Sequence, residues 1–418
     1  MSFQQGISGL SATSKNLDVI GNNIANAGTI GSKASRIEFS DLYSSAVGSG
    51  AAKISGVGVA VAAVAQNFTQ GSVTSTSNPL DLAISGNGFF QVKTASSSVR
   101  YTRNGEFKLN SDGGIVNNQG GRLMGYAADA SGVVQSGQAQ PLILQSNAIE
   151  PKATGSITVT ANLDSRAFIT QPAAGPGIDI GDAATFNNAT AINAIDANGK
   201  DVVVTSYFQK TGADTWDVYV TANGVLVGGT PATPVTTISF DPAGSAPLAP
   251  TGPLSVNIPA GLVVNGVGTL PINGLQLNIN TFSQFAAPFG VTKLSQDGYA
   301  AGALSGVSVE STGRIVANYS NGRIKAIGQV ELASFANVNG LQPLGGNEWA
   351  LTVNAGDPVL GVPGSGNLGM LQTSALEESN VDLTGELVSM MIAQRSYQAN
   401  AQTIKTQDQV LQTLVNLR

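Results

Sequence analysis

Neither cysteine nor histidine occurs anywhere in the 418 residues. Their absence removes the usual zinc ligands, the usual neutral-pH general base, the thiol nucleophile and every disulfide. Ser-His-Asp and Cys-His catalysis are excluded outright, and the redox compartment cannot be read from disulfides. Charge is also scarce, at 11% of residues against about 25% in an average globular protein. A surface so poorly defended by charge predicts extensive protein–protein contact. The balance of 20 basic and 26 acidic residues leaves a net charge of −6, which argues against a nucleic-acid partner. No stretch reaches the ~18 apolar residues of a membrane-spanning helix, so no membrane insertion is expected. The opening Met1-Ser-Phe-Gln-Gln-Gly-Ile has neither the basic nor the apolar region of a cleaved signal peptide, so any export is expected to use a route that reads none.

What is abundant is hydrophobic content, 42%, and glycine, 51 residues. The first supplies material for two to four domains. The second, together with Asn and Asp, supplies the positive φ of tight turns. Recurrent Val and Ile alternation makes this a mainly β chain.

The two ends read differently from the middle. Over residues 2–27, Phe3, Ile7, Leu10, Leu17 and Ile24 follow a heptad seam in which Ser14 and Gly21 fill the missing positions, and Gly28 is placed to end the helix. Over residues 382–417, Leu383, Leu387, Met390, Gln394, Tyr397, Ala401, Ile404, Asp408, Leu411 and Val415 are separated by steps of 4 or 3, with Asp382 as N-cap. A helix of that length runs roughly 50 Å. Its second stripe, Met391, Ile392, Val410, Leu414 and Leu417, cannot be covered by the same neighbour. The expectation is a paired, coiled-coil-like helical domain (residues 1–28 and 380–418) whose remaining apolar face is buried by other copies or by another protein.

Residues 29–70 and 367–379 read as connecting segments, the first with one alternating strand at Val57-Gly-Val-Ala-Val61. Residues 71–145 and 291–366 read as one discontinuous inner β domain. Within it Asn87-Gly88 and Asn104-Gly105 are expected to close hairpins, and Asn321-Gly322 supplies another turn. Residues 146–290 read as an inserted outer β domain, with turns at Asn198-Gly199 and Asn223-Gly224. Nine acidic against four basic residues over 150–290 mark it as the most solvated part.

No motif carries chemistry. Gly86-Asn-Gly88 and Gly56-Val-Gly58 lack the third glycine and following helix of a dinucleotide fingerprint. Gly199-Lys200 lacks the upstream glycine of a phosphate loop. Asn110-Ser-Asp-Gly113 lacks the length and closing Glu of a calcium loop. Glu377, Glu378 and Glu386, with Lys405 and Arg395, read as solvated or register-setting charges near the C-terminal helix. No catalytic, cofactor or metal site is expected, and no enzyme.

The termini carry a specific resemblance. Asn16-Leu-Asp-Val-Ile-Gly-Asn-Asn-Ile-Ala-Asn26 with Gly31-Ser-Lys33 is similar to the N-terminal signature of the axial rod and hook proteins of the bacterial flagellum. Ser379-Asn-Val-Asp-Leu383 with Met390-Met-Ile-Ala-Gln-Arg-Ser-Tyr-Gln-Ala-Asn400 is similar to their C-terminal signature. Asn22, Asn23, Asn26, Gly31, Lys33, Asn380, Asp382, Gln394, Arg395, Tyr397 and Asn400 are the signature positions. Gly86-Asn-Gly-Phe-Phe90, Tyr101-Thr-Arg-Asn-Gly-Glu-Phe-Lys108 and the run from Lys405 to Arg418 resemble hook proteins most closely. Ser32 departs from the family, which usually has an aromatic there.

The resemblance implies a self-assembling subunit of a curved, hollow tube that joins rod to filament and transmits torque. It implies paired terminal helices lining the channel, and an extracellular place in the flagellar hook and basal body. The implied partners are further copies, the distal rod, the hook cap, the hook–filament junction and a type III export apparatus. Phe39-Ser-Asp-Leu-Tyr43 is similar to the Phe-x-x-x-hydrophobic motif read at the export gate of such substrates; inward packing of Phe39 and Tyr43 in a short helix or strand accounts for the pair equally well. The alternatives are a distal rod subunit, from which the large insertion distinguishes the chain, and an exported β-rich adhesin or binding module, which leaves the heptads at both ends unexplained.

Overall fold

The computed structural model describes residues 2–43, 56–129, 131–135, 137–144, 148–170, 177–228, 232–243, 246–264 and 267–416. Two helices stand at the ends of a mainly β chain: α1 (Ser2–Ala25) and α2 (Leu383–Asn416). No helix among the described residues is long and apolar enough to cross a membrane. The chain divides into two compact units, one of residues 1–146, 306–318 and 324–418, the other of residues 147–305 and 319–323.

In the first unit the leading sheet runs, strand by strand, through Leu304–Val309, Arg314–Tyr319, Ile324–Val330, Arg122–Ala127, Phe89–Lys93, Val99–Thr102, Glu348–Ala350 and Gln342–Gly345. Leu82, Ile84, Phe90, Val92, Phe107, Leu123 and Leu332 form one apolar core. A second core is aromatic. Phe68 meets Phe89 and Trp349 edge-on at 5.7 and 5.5 Å, and Tyr101 meets Phe335 at 4.8 Å, the T-shaped geometry that ring quadrupoles favour.

Two short pairings join the legs of the chain that lead to and from the helices. Val73–Ser75 pairs with Ala375–Glu377, and Leu82–Ser85 pairs with Met370–Thr373, both antiparallel. In the second unit a four-stranded and a six-stranded sheet share one core containing Ile157, Val159, Phe208, Trp216, Val218 and Phe282. Ser156–Asn162 alternates buried with half-buried residues along its length, the period-2 signature of a strand with one face inward.

Several expectations need correction. Residues 29–70 contain a full hairpin, β1 (Ser35–Tyr43) paired antiparallel with β2 (Gly56–Gln66), rather than a linker with one strand. Residues 291–305 belong to the second unit, because Gly290–Gln296 pairs with Ser156–Asn162. Asn87-Gly88 closes no hairpin: the preceding strand pairs with Met370–Thr373 and the following one with Val99–Thr102. Asn104-Gly105 also closes none, since Lys108–Leu109 pairs with Ile115–Val116. Asn223 and Gly224, both at positive φ (48° and 80°), do form the two-residue turn expected of them. Gly28 has ordinary φ; the left-handed residue after α1 is Gly31, at φ 71°.

Glu331 lies at the junction of Ile324–Val330 and Leu332–Ser334 and is only 2% exposed. Tyr126 donates to its Oε1 at 2.7 Å, and its Oε2 has no partner. Burial pushes its carboxyl above the ordinary value of 4.5, and burial beside Glu331 pushes the Tyr126 hydroxyl up to about 12. A carboxyl with a raised folded pKa contributes stability in full below its unfolded pKa and loses it as pH rises through the folded pKa. Glu331→Gln, which keeps the shape without the charge, is therefore expected to melt above the parent at pH 8 but not at pH 4. Identical parent and variant profiles across that range would count against a buried, ionisation-averse Glu331.

Candidate assembly interface

Four of the signature residues, Asn23, Gly31, Lys33 and Asn380, gather at one junction around a buried charge cluster. Glu377 ends the strand that pairs with Val73–Ser75, and it is wholly buried. Its Oε1 accepts from Lys33 Nζ at 2.6 Å and from the Gly71 amide at 3.0 Å; its Oε2 accepts from Arg103 Nη1 at 3.0 Å. Lys33 Nζ also donates to the Thr69 carbonyl at 2.8 Å, and Arg103 Nη2 to the Gly86 carbonyl at 2.9 Å. Charges this deep are tolerated when paired and hydrogen-bonded, although Arg103 Nε has no partner among the described residues. Burial pushes the Lys33 ammonium below its ordinary value; Glu377 opposes that shift and Arg103 adds to it.

The turn after α1 docks onto the same region. The Gly31 amide donates to the Glu377 carbonyl at 2.8 Å, and Asn347 Nδ2 donates to the Ile30 carbonyl at 2.8 Å. A Cβ on Gly31 would sit 2.6 Å from the Asn104 nitrogen, so both its left-handed φ and this approach require glycine. Ser32 is buried beside it.

Asparagines complete the junction. Buried Asn23 brackets Ser35, accepting from its amide at 2.9 Å and donating to its carbonyl at 2.7 Å, and also donates to Glu386 Oε1 at 2.9 Å. Asn380 accepts from the Ala34 amide at 2.8 Å and donates to the Asn67 carbonyl at 2.8 Å. Asn26 donates to the Asn22 carbonyl at 2.9 Å at the end of α1. Asp382 caps α2, accepting from the Thr384 amide at 3.1 Å. An amide side chain has both a donor and an acceptor at fixed spacing, which is why Asn can replace the missing strand partner of irregular backbone.

Beyond the cluster α1 packs on α2. Small residues line part of the contact, beside Ile20 and Ile404. A Cβ on Gly6 would lie 3.0 Å from Ile404, and one on Gly9 would lie 3.0 Å from the Asn400 amide; Ala12, Ile20 and Ala393 are buried. A groove of about 460 Å³ runs here between α1, α2 and the hairpin, bordered by Thr13, Phe39, Val59, Ile392 and Ser396.

The expected seam is only partly the observed one. Met390, Ile404, Leu10, Leu17 and Ile24 are half-buried, whereas Ile7, Leu383, Leu387, Tyr397 and Leu411 are exposed. The side chains of Phe3, Tyr43 and Val415 lie outside the described residues. The seam shifted because glycine and alanine, invisible to a hydrophobic heptad, set how closely the helices approach. Gln394 and Arg395 are exposed on α2; Phe39, on β1, is nearly half exposed. Glu377, expected to be solvated or register-setting, is the most buried charge of the cluster, and Glu386 is bonded to Asn23. The available signal was a charged residue ending the apolar strand Ala375-Leu376-Glu377 in a chain with few charges.

Residues 3–33 match the family described as flagella basal body rod protein, and residues 372–417 the flagellar basal body rod FlgEFG protein C-terminal family. Residues 83–170 match the flagellar hook protein FlgE/F/G D1 domain, and residues 162–299 the flagellar basal body protein FlaE D2 domain. The chain is 40% identical to the flagellar hook protein FlgE of Salmonella typhimurium over the full length of both. The chain belongs to the flagellar hook protein family. Hook proteins of Escherichia coli (38% identical) and Borreliella burgdorferi (32%) are also covered over 100% and 99% of their length, with all of this chain matched in each case. The solved structure of Helicobacter pylori flagellar hook protein FlgE2, 14% identical, superimposes with a TM-score of 0.52 over 73% of this chain and all of that one, a likeness of fold.

Removing the central carboxylate tests the cluster. Glu377→Gln leaves two buried cations underpaired and is expected to cost about 3–5 kcal/mol in urea unfolding. Lys33→Met is expected to cost less, because Arg103 still answers Glu377. Equal, near-zero costs for both would mean that the cluster does not hold the junction.

Proposed function

We propose that this chain is a structural subunit of the bacterial flagellar hook, which self-assembles into a curved, flexible hollow tube. The tube joins rod to filament and passes motor torque round a bend as a universal joint. The subunit is no catalyst; its work is done by surfaces that bind further copies. Its other partners are the axial proteins at either end of the tube, and it leaves the cell through the flagellar type III apparatus, with Phe39 and Tyr43 as candidates for the gate-recognised pair.

The observation that carries this reading is the outer face of α2. Leu383, Leu387, Val388, Met391, Ile392, Val410 and Leu411 are all exposed, Ile392 to 59%. The exposed apolar stripe over 383–392, with a further pair at 410–411, marks an interaction surface on a single chain. Burial of these residues against a neighbouring copy would give head-to-tail packing, which without closure yields an open filament.

The family's two end regions are shared with rod proteins, so a straight rod is the second reading. Electron microscopy of purified, polymerised protein separates them: curved hollow tubes are expected from the parent, and none from a chain truncated before Asn380. Straight tubes would favour the rod. A second measurement isolates the stripe. Leu387→Asp with Ile392→Asp is expected to abolish sedimentable polymer while the thermal melt of the β units stays within ~2 °C of the parent, as surface changes usually leave stability nearly unaltered. Normal polymer from that variant would remove the stripe from the interface.

A further inference from the structure

The chain passes from the strand Leu82–Ser85 to Phe89–Lys93 through Asn87-Gly88, which closes no hairpin. An asparagine followed by glycine is open to attack of the glycine amide nitrogen on the asparagine Cγ, because no Cβ shields the approach. Eight such pairs occur in the chain, and hydrogen bonding separates them. The amides of Gly199, Gly274, Gly322 and Gly340 are committed as donors, to Asp196, Asn257, Tyr319 and Asn337 at 2.7–3.2 Å. Asn104 and Asn223 are held by their side chains instead, Asn104 accepting from the Glu106 amide at 2.8 Å and Asn223 from the Val203 amide at 2.8 Å. Asn265-Gly266 lies outside the described residues. At Asn87-Gly88 neither restraint applies: among the described residues the exposed Asn87 side chain has no hydrogen-bond partner and the Gly88 amide no acceptor.

Two features of the surroundings favour the reaction at this pair. The Gly369 amide donates to the Asn87 carbonyl at 2.7 Å. A donor on that oxygen draws electron density from the peptide and makes the Gly88 N–H more acidic. Asn87 and Gly88 also line a cavity of about 430 Å³ together with Arg103. Arg103 Nη2 donates to the Gly86 carbonyl at 2.9 Å, and its buried Nε has no partner among the described residues. A fixed cation beside the pair steadies the negative charge that gathers on the attacking nitrogen and then on the side-chain oxygen. Ser334 and Asn367, which line the same cavity, make it polar enough to admit the water that the last step consumes.

We propose that Asn87-Gly88 is a self-modification site at which the chain deamidates in its folded state. The Gly88 nitrogen forms a bond to Asn87 Cγ, and the bond to Nδ2 breaks, releasing ammonia that carries off the Gly88 proton. Water then adds to either carbonyl of the succinimide ring and opens it to aspartate or isoaspartate. The isoaspartyl chain has an extra main-chain carbon between the two strands, and both products add a carboxylate beside the cavity that Arg103 lines. The test incubates the full-length chain, folded and in urea, in mildly alkaline buffer. Each Asn-Gly pair is followed by peptide mass mapping, with enzymatic isoaspartyl methylation as a second readout. In the folded chain Asn87 is expected to lose ammonia roughly tenfold faster than the pairs whose glycine amide is bonded, since a hydrogen bond must break there first. In urea that lead is expected to vanish. Asn87→Gln, whose longer side chain disfavours ring closure, is expected to remove the isoaspartyl signal from this peptide. A folded Asn87 that reacts no faster than the bonded pairs, or a lead that persists unchanged in urea, would overturn the site.

Discussion

A single buried carboxylate organises the junction on which the helical part of this protein depends. Glu377 is answered by a lysine from the segment after α1 and by an arginine from the inner sheet, while backbone from both legs closes around it. None of these charges is stable in the interior alone. The N-terminal turn, the C-terminal strand and the Arg103 region must therefore be present together or not at all. That mutual requirement gives two chain ends, separated by almost the whole sequence, a fixed meeting point close to where α2 begins.

From this point the two helices diverge in character from an ordinary buried pair. Their contact uses Gly6, Gly9, Ala12 and Ala393, with Ile404 against Gly6, while Leu383, Leu387 and Met391 of α2 stay exposed. The same economy of charge that leaves 11% of residues ionised leaves little to repel a neighbour from this face. An element built this way is half a hydrophobic core, with its other half supplied in assembly. The β units contrast with it, since each encloses an apolar core of its own.

Legibility in the sequence followed the range of the interactions. Local rules worked where one segment answers to itself: the reach of α2 and its Asp382 cap, the strand alternation at Ser156–Asn162, and the positive-φ turn at Asn223-Gly224. They failed where a second segment decides. Asn87-Gly88 and Asn104-Gly105 have hairpin composition, yet their flanking strands find partners elsewhere in the chain. Gly31, a signature position, showed its reason only beside Asn104.

By itself the sequence determined the mainly β class, the helical ends, the absence of thiol and imidazole chemistry and the family signatures, because composition and short-range periodicity encode each of them. Tertiary structure alone decided that Glu377 is buried rather than solvated, that residues 291–305 join the inserted unit, and which stripe of α2 faces inward. Those outcomes depend on residues far apart in the chain. A carboxylate's solvation and a helix's inner face are properties of its neighbours, and the neighbours are chosen by the fold.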